Sequence, residues 1–316
     1  MVAFQKQSWI AGRLPPTLAS TPSGVGSDGL KHKEIERYHQ MGLKIFAEFN
    51  SMHVAPYLKE HPDAAPIGAD GKPSPPPHGW QGVSPHHAGY RRNRMDEFRR
   101  VLKTFEIDGI WLDYHHAHAS WERAEPAMPD TDFSPVALRS FTETTGIALS
   151  AEVPEAAKQL LGPHRKAWTK FRCDVFTDWV REYREVLNDV RPQTLLGAFH
   201  CPWSPEDFDG AIRQKLAIDL PAQAKYVDIF SIMPYHSRFG HPQDPAWIAR
   251  QTTRLRELLN LKGTPDEKQK IWPIVQLADW GETVPVEQLH EQVLDFGTQR
   301  PATGVMVFHW SGVSQQ

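Results

Sequence analysis

The sequence predicts an α/β fold of the (β/α)8 TIM-barrel type, possessing an irregular or incomplete N-terminal strand. Apolar strand-like runs alternate with amphipathic helical patterns, which is typical of parallel sheet built from βα units. The carboxyl ends of these runs concentrate polar or aromatic residues, whereas their amino ends show no such concentration. We find no repeat and no second domain, so we expect a single barrel over residues 1–316, with its chemistry at the carboxyl ends of the strands.

Several runs have the length and apolar content of strands. The clear ones are Lys44–Asn50, Asp108–Tyr114, Thr194–His200, Asp228–Met233, Ile271–Leu277 and Gly304–Trp310. Val2–Ile10 is a weaker candidate for a further strand. A closed barrel of this type has about eight strands, so we expect one end of the barrel to be irregular or trimmed.

The segments between the strands carry apolar residues at helical spacing. The predicted buried faces are Met95, Phe98, Val101, Leu102 and Phe105, then Trp168, Phe171, Val175, Trp179, Tyr183 and Val186, and finally Val286, Leu289, Val293 and Phe296. Ser134 followed by Pro135 predicts a helix start, because serine caps a helix and proline suits its first turn. We expect these helices to cover the outside of the barrel.

The one compositional break is the segment from about residue 60 to 90, which is rich in Pro, Gly and His. It is too long for a routine connection, so we interpret it as a functional loop over the rim. The alternative is a disordered excursion. Trp80 and the His86-His87 pair favour the ordered loop.

Composition restricts the partners. The chain carries 35 Lys and Arg against 38 Asp and Glu, which argues against a nucleic acid or an anionic membrane as partner. No apolar run approaches the roughly 20 residues needed to span a bilayer. We find no leader sequence, so we expect a cytoplasmic protein or a secreted one whose signal is absent here. Cys173 and Cys201 are expected to be thiols, and the oligomeric state is open.

Asp113 is the strongest catalytic candidate, because it ends the apolar run Ile107–Tyr114 and shares the parity of Trp111. Its alternatives are to cap a helix or to pair with an arginine. Cleavage of a glycosidic bond needs a second carboxyl group. Asp279 and Glu282 rank first for that role. Further candidates are Glu122, Glu48, which could also be a structural ion-pair member, and Glu206 and Asp207, for which helix capping is the better interpretation.

His115, His116 and His118 follow Asp113 directly, and such spacing can hold a divalent metal. No second histidine motif completes a metal site, so we expect neither metal nor cofactor, and we predict that histidines bind substrate hydroxyls or orient Asp113. The full set of predicted substrate-binding residues is Glu48, Asn50, Trp80, His115, His116, His200, Trp203, Tyr235, His236, Trp280, His309 and Trp310. Tryptophan faces at a rim are suited to stacking on sugar rings.

Several segments together resemble the hypothetical glycoside-hydrolase-like barrels. They are Gly42–Phe49, His61–Lys72, Gly79–Pro85, Tyr90–Phe105, Ile107–Tyr114, Tyr226–Tyr235 and Trp272–Gln276. The resemblance runs from about Lys31 to Trp310 and implies a (β/α)8 barrel distantly related to the alpha-amylase and alpha-galactosidase clans. It also implies that Asp113 occupies the position of a first catalytic carboxylate. The run from His115 to His118 departs from the Arg-Tyr-Pro or Arg-Phe-Pro that is usual there.

We therefore hypothesise a glycoside hydrolase that cleaves O-glycosidic bonds of an oligo- or polysaccharide. Asp113 attacks the anomeric carbon or activates water, and Asp279 or Glu282 protonates the leaving oxygen. Two alternatives from other classes stay open. One is a metal-dependent hydrolase that uses the His115, His116 and His118 cluster, and the other is a barrel that binds carbohydrate without cleaving it.

Overall fold

In the computed structural model, residues 9–13, 32–264, 266–276, 284, 288 and 292–308 are described. Their strands are parallel and pair in chain order, as the strands of a (β/α) barrel do. The strands are β1 Trp9–Arg13, β2 Lys44–Asn50, β3 Gly109–Asp113, β4 Leu195–His200, β5 Ile229–Ile232, β6 Lys270–Ile271, β7 Ile274–Gln276 and β8 Met306–Phe308. Strands β1 to β6 form one sheet, and β7 pairs with β8 in a second.

The strands β6 and β7 are two parts of one chain segment, interrupted at Trp272 and Pro273. Proline has no amide hydrogen for the ladder, which explains the break. The Met306 amide donates to the Pro273 carbonyl at 2.9 Å, so the second sheet continues the first around the barrel.

Two glycines let large aromatic rings fill the barrel interior. A Cβ added at Gly109 would lie 2.0 Å from the Phe46 ring, and one at Gly197 would lie 2.2 Å from the Trp111 ring. Phe46 and Trp111 form an interior cluster with Ile229 and others. Side chains alternate along a strand, so residues with the parity of Trp111 also face inward.

Helices lie outside the sheet. They are α1 His32–Gln40, α2 Ala55–Glu60, α3 Ala88–Thr104, α4 Pro135–Thr145, α5 Val153–Leu161, α6 Arg165–Val190, α7 Ala211–Gln214, α8 Leu220–Gln223, α9 Trp247–Leu259 and α10 Leu294–Thr298. Some of them pack on the strands and others, such as α4 and α5, pack on α6. The main apolar core lies between the outward face of the strands and helices α3 and α6. None of the described helices is long and apolar enough to cross a membrane.

The local predictions agree closely with the structure. Residues 44–50 form β2 as predicted, and the bounds of β3, β4, β5 and β8 lie within one or two residues of the predicted ones over the described part. The predicted strand Ile271–Leu277 is divided into β6 and β7. The Ser134 hydroxyl accepts from the Ala137 amide and caps α4, which begins at Pro135. Cys173 and Cys201 are both free and buried. The predicted strand Val2–Ile10 overlaps β1 at Trp9 and Ile10, and the rest of that prediction lies outside the described residues.

The loop over residues 60–90 is ordered. It begins after α2, contains short 3-10 turns at Pro62–Ala64 and Pro77–Gly79, and ends at α3. Its contacts tie it to the barrel end, since the Val83 amide donates to the Met52 carbonyl at 2.9 Å. The segment therefore has defined contacts with the barrel, as the interpretation of an ordered loop expects.

Candidate active site

Asp113 ends β3 at the carboxyl rim of the barrel. The Trp111 ring lies inside the barrel, where it stacks on Phe199 with 5.0 Å between the ring centroids. Asp113 is two residues further along the same strand, so its carboxyl group also points inward, at the barrel mouth. The Tyr114 amide donates to Asp113 Oδ1 at 2.8 Å, and Tyr114 itself has a left-handed φ of 49°. Such backbone strain is typical of functional sites. No helix of the described chain starts directly after Asp113, so the helix-capping alternative does not hold.

A second carboxyl group, that of Glu48, meets Asp113 at the mouth. Glu48 is paired in register with Trp111 across β2 and β3, so the two strands present these side chains on the same inward face. The negative charge of Glu48 lies close enough to Asp113 to raise the pKa of the Asp113 carboxyl group.

The third carboxyl group belongs to Glu122 and reaches the site on a short arm. Ser120 and Ala127 exchange two backbone hydrogen bonds of 2.9 Å, which close residues 120–127 into a hairpin-like loop after β3. Trp121 anchors this arm, because its Nε1 donates to His116 Nε2 at 2.9 Å and its ring stacks on Phe239. Glu122 is thus held beside the strand ends by the residue before it.

The three carboxyl groups influence one another strongly. Burial raises the pKa of Asp113 well above its usual range, and the negative charges of Glu48 and Glu122 add to that rise. Burial also raises the pKa of Glu122 to about 7, with Arg238 opposing and Glu48 reinforcing the effect. Carboxyl groups with such raised pKa values can carry a proton near neutral pH, which a general acid needs.

Aromatic side chains lie next to the carboxyl cluster. The half-buried Trp80 of the rim loop lies 5.8 Å from the Tyr114 ring, 5.1 Å from the His53 ring and stacks on His116 at 4.9 Å, measured between ring centroids. Tyr235 is buried, and burial together with the charges of Glu122 and Asp113 raises its pKa well above the usual range. These residues give the mouth an aromatic wall around Trp80 and the buried phenol of Tyr235.

The histidine run after Asp113 is engaged in protein hydrogen bonds. His115 Nε2 donates to the Phe176 carbonyl at 2.9 Å, and its Nδ1 pairs with the Ser51 hydroxyl at 2.8 Å. His116 Nδ1 donates to the Ala117 carbonyl at 2.7 Å, while its Nε2 accepts from Trp121. Burial lowers the pKa of His115 to about 4 and that of His116 to about 3, so both are neutral.

Both ring nitrogens of His118 also form hydrogen bonds within the protein. Its Nδ1 accepts from the Gly82 amide at 3.1 Å, and its Nε2 donates to the Pro75 carbonyl at 3.0 Å, which fastens the rim loop to the strand end. Because the ring nitrogens of the whole run are used in this way, they offer a metal ion no lone pair without breaking these bonds. Among the described residues no cluster of His, Cys, Asp or Glu has the arrangement of a metal site.

Other predicted substrate-binding residues lie in packing positions around the mouth. His200 is buried and stacks on Phe230, which belongs to the outer core. Trp203 is buried and packs edge-on against Trp121. His236 is buried, with its Nε2 3.2 Å from Gln288 Oε1.

Asn50 and the last rim residues complete the comparison. Asn50 is next to Asp113 in the strand register, and its Oδ1 accepts from the His53 amide at 3.1 Å. The predicted residues Asp279, Trp280, Glu282, His309 and Trp310 lie outside the described residues. The candidates Glu206 and Asp207 lie on the loop after β4. Asp207 Oδ2 accepts from the Ser204 amide at 2.7 Å, as in a capping box, whereas Glu206 precedes the 3-10 turn Asp207–Asp209 without a side-chain cap.

Sequence reasoning missed two residues of the mouth, His53 and Arg238. His53 follows β2 by three positions, and its strand-end location was a usable signal. Arg238 lies six residues beyond β5, and its Nε donates to the Glu122 carbonyl at 2.5 Å. No local pattern links Arg238 to Glu122, because the contact depends on the folding of two separate loops.

Comparison with known proteins yields structural likeness without sequence likeness. No protein-family model matches the chain, and no curated protein matches its sequence. The PgaB (BpsB) glycoside hydrolase domain from Bordetella bronchiseptica is similar in structure, with a TM-score of 0.64 and 16% identity over 88% of this chain and 74% of that one.

Two further solved structures share the architecture. The beta-galactosidase from the psychrophilic Marinomonas ef1 has a TM-score of 0.62 and 13% identity, and the match covers 96% of this chain but only 50% of that one. The catalytic domain of beta-amylase from Paenibacillus polymyxa has a TM-score of 0.59 and 9% identity over 97% and 93% of the two chains. The predicted TIM-barrel fold, of the type found in glycoside hydrolases, is thereby confirmed.

Proposed function

We propose that this protein is a glycoside hydrolase that cleaves O-glycosidic bonds of an oligo- or polysaccharide at the carboxyl rim of its barrel. The observation that carries the proposal is the convergence of Glu48, Asp113 and Glu122 at the mouth. Hydrolysis of a glycosidic bond needs a protonated carboxyl group and a carboxylate on opposite sides of the anomeric carbon. The likeness to solved glycosidases adds support at the level of fold.

Glu122 is the proposed proton donor. Its pKa of about 7 leaves a large protonated fraction at neutral pH, which suits a general acid. Glu122 transfers its proton to the glycosidic oxygen as the bond from that oxygen to the anomeric carbon breaks. The leaving sugar therefore departs as a neutral alcohol.

Asp113, together with Glu48, is the proposed nucleophile or base. The Glu48 carboxyl group lies beside Asp113, and its negative charge raises the pKa of Asp113. The ionised form of Asp113 is the one that reacts as positive charge develops at the anomeric carbon. Asp113 then attacks the anomeric carbon or takes a proton from the attacking water, so that one water is consumed per bond cleaved.

The predicted proton donors Asp279 and Glu282 remain rival candidates to Glu122. Both follow β7 in the sequence, where the sequence predicts residues of the same rim. Replacing Glu122, Asp279 and Glu282 one at a time by the corresponding amide decides between them. We expect the change at Glu122 to have the largest effect on substrates with poor leaving groups.

The substrate is proposed to rest against the aromatic wall. The face of Trp80 is suited to the apolar face of a sugar ring, and the phenol of Tyr235 is suited to a hydroxyl. His115, His116, His200 and His236 are assigned to supporting the mouth, because their rings are buried within the protein.

A screen of aryl glycosides and natural polysaccharides tests the proposal, with Asp113→Asn and wild type run side by side. We expect wild type to release sugar from at least one substrate and Asp113→Asn to be slower by roughly 10³-fold or more. Glu125→Gln, an exposed carboxyl group on the Glu122 arm, is the matched control and should keep wild-type turnover.

The screen also separates the alternatives. Turnover at the wild-type rate in Asp113→Asn would contradict the proposed carboxylate mechanism. Turnover lost to a chelator and restored by zinc would favour a metal-dependent hydrolase. Saturable binding of a glycan with no product after long incubation would favour a carbohydrate-binding barrel.

A further inference from the structure

Arg238 joins two rim loops at the point where Glu122 enters the site. It lies in the segment after β5, and its Nε donates to the Glu122 carbonyl at 2.5 Å. The next residue, Phe239, stacks on Trp121 at 6.2 Å with an interplanar angle of 12°. One short segment therefore contacts the Glu122 arm twice, once through the backbone and once through a ring.

The Arg238 guanidinium is also a positive charge that faces an acidic cluster. Its charge opposes the effect of burial on the Glu122 carboxyl group. The groups that face Glu122 from the surrounding elements are Arg238 and Tyr235 from the segment after β5, Glu48 from β2, Asp113 from β3 and the Cys201 thiol after β4. Among these described groups Arg238 is the one that carries a positive charge.

We propose that Arg238 is a positioning residue for Glu122, which fixes the arm through the Glu122 carbonyl and holds a positive charge beside the carboxyl group that protonates the leaving oxygen. The inference rests on the proposed function, because it assigns Glu122 as the proton donor. An arginine suits both tasks, since its charge is permanent and its planar fork presents several donors. A lysine can supply the charge without the fixed fork.

The proposed reaction requires a Glu122 carboxyl group that can both release and take up a proton, and the nearby Arg238 charge makes this possible. Without a nearby cation, burial and two acidic neighbours would keep Glu122 protonated, and it could not act as a base in the second half of a reaction. With a full ion pair it would lose its proton and could not act as an acid. A guanidinium that binds the backbone carbonyl and faces the carboxyl group holds Glu122 between these extremes.

The test is the titration of the Glu122 carboxyl group, followed by ¹³C NMR of glutamate-labelled protein and assigned by the signal lost in Glu122→Gln. Arg238→Gln removes the positive charge, so we expect the Glu122 pKa to rise by roughly half a unit to one unit. Arg238→Lys keeps the charge, so the titration should stay within about 0.3 unit of wild type. Ser237→Ala, beside Arg238, is the matched control and should leave it unchanged.

Kinetics give the second readout. The alkaline limb of the pH profile for glycoside hydrolysis should move upward with the Glu122 pKa in Arg238→Gln, whereas a purely structural role would lower the rate without moving the limb. An unchanged Glu122 titration in Arg238→Gln overturns the inference. If Arg238→Gln does not fold, Arg238→Met is the second variant without the charge, and an unchanged Glu122 titration in that variant overturns the inference.

The two proposals fail in different ways. If no glycoside is cleaved, the proposed function falls, while the NMR titration still shows whether Arg238 controls Glu122. If glycosides are cleaved but the pKa of Glu122 is unchanged in Arg238→Gln, the proposed function stands and only the role of Arg238 is rejected.

Discussion

The ionisation of Glu122 should make the stability of the protein depend on pH in a way that Glu122→Gln removes. Burial raises the pKa of Glu122 from 4.5 to about 7 in the folded protein, whereas the unfolded chain leaves it at the ordinary value. The folded state therefore binds the Glu122 proton more tightly than the unfolded state. Its stabilising contribution is present below about pH 4.5 and is lost as the pH rises through about 7.

The magnitude follows from the change in pKa. Each unit corresponds to about 1.4 kcal/mol, so the full loss is about 3 kcal/mol. Roughly 2.5 kcal/mol of this loss falls between pH 5 and pH 8. Glu122→Gln carries no ionisable group at this position, so its free energy of unfolding, relative to wild type, should rise by about that amount between the two pH values.

Urea unfolding of wild type and Glu122→Gln, followed by far-UV circular dichroism at pH 5 and pH 8, measures the difference. Glu122→Gln also removes a negative charge that raises the pKa of Asp113. The pKa of Asp113 should therefore fall, which further increases the stability of the variant relative to wild type at pH 8. Glu125→Gln on the same arm is the control, and its difference from wild type should be almost equal at the two pH values. The reasoning is refuted if Glu122→Gln differs from wild type by the same free energy at both.

Other predictions concern the barrel interior, the aromatic wall and the histidine run. Gly197→Ala should lower the free energy of unfolding by roughly 2 to 3 kcal/mol, because its Cβ would lie 2.2 Å from the Trp111 ring, and Trp111→Leu in the same chain should recover part of the loss in urea unfolding. Trp80→Ala should weaken glycan binding by roughly 5- to 10-fold in calorimetry, the effect of one lost stacking contact, and unchanged affinity would remove Trp80 from the site. His116→Ala leaves the buried Trp121 Nε1 without its acceptor, so it should lower stability by roughly 1 to 3 kcal/mol, and an unchanged urea midpoint would contradict the assigned hydrogen bond.

The fold could be predicted from sequence because its signals are local. Strand β2 has the predicted bounds, since residues 44–50 combine apolar content with strand length. The start of α4 was found because Ser134 and Pro135 act within their own helix turn. Strand β1 overlaps the predicted strand Val2–Ile10 at Trp9 and Ile10 and continues to Arg13.

The position of Asp113 could also be predicted, since parity along β3 links it to Trp111 inside the barrel. The partners of Asp113 could be only partly predicted. Glu48 and Glu122 were among several candidate acids, and only the register of β2 with β3 and the closed arm after β3 bring them to Asp113. For the histidine run the local pattern was misleading. Its spacing suggested a metal site, whereas the ring nitrogens form hydrogen bonds with backbone and side-chain groups of the protein.

The central claim is that Glu122 donates a proton to the leaving oxygen while Asp113 acts at the anomeric carbon. The most direct measurement compares Glu122→Gln and Asp113→Asn on two aryl glycosides of the sugar that wild type cleaves, one with a dinitrophenyl and one with a poor leaving group. An activated phenol departs without a proton, so Glu122→Gln should retain most of its kcat/KM on the first substrate and lose roughly 10² to 10⁴-fold in kcat/KM on the second. Asp113→Asn should lose turnover on both, and equal losses of Glu122→Gln on the two substrates, or wild-type turnover by Asp113→Asn, would contradict the account.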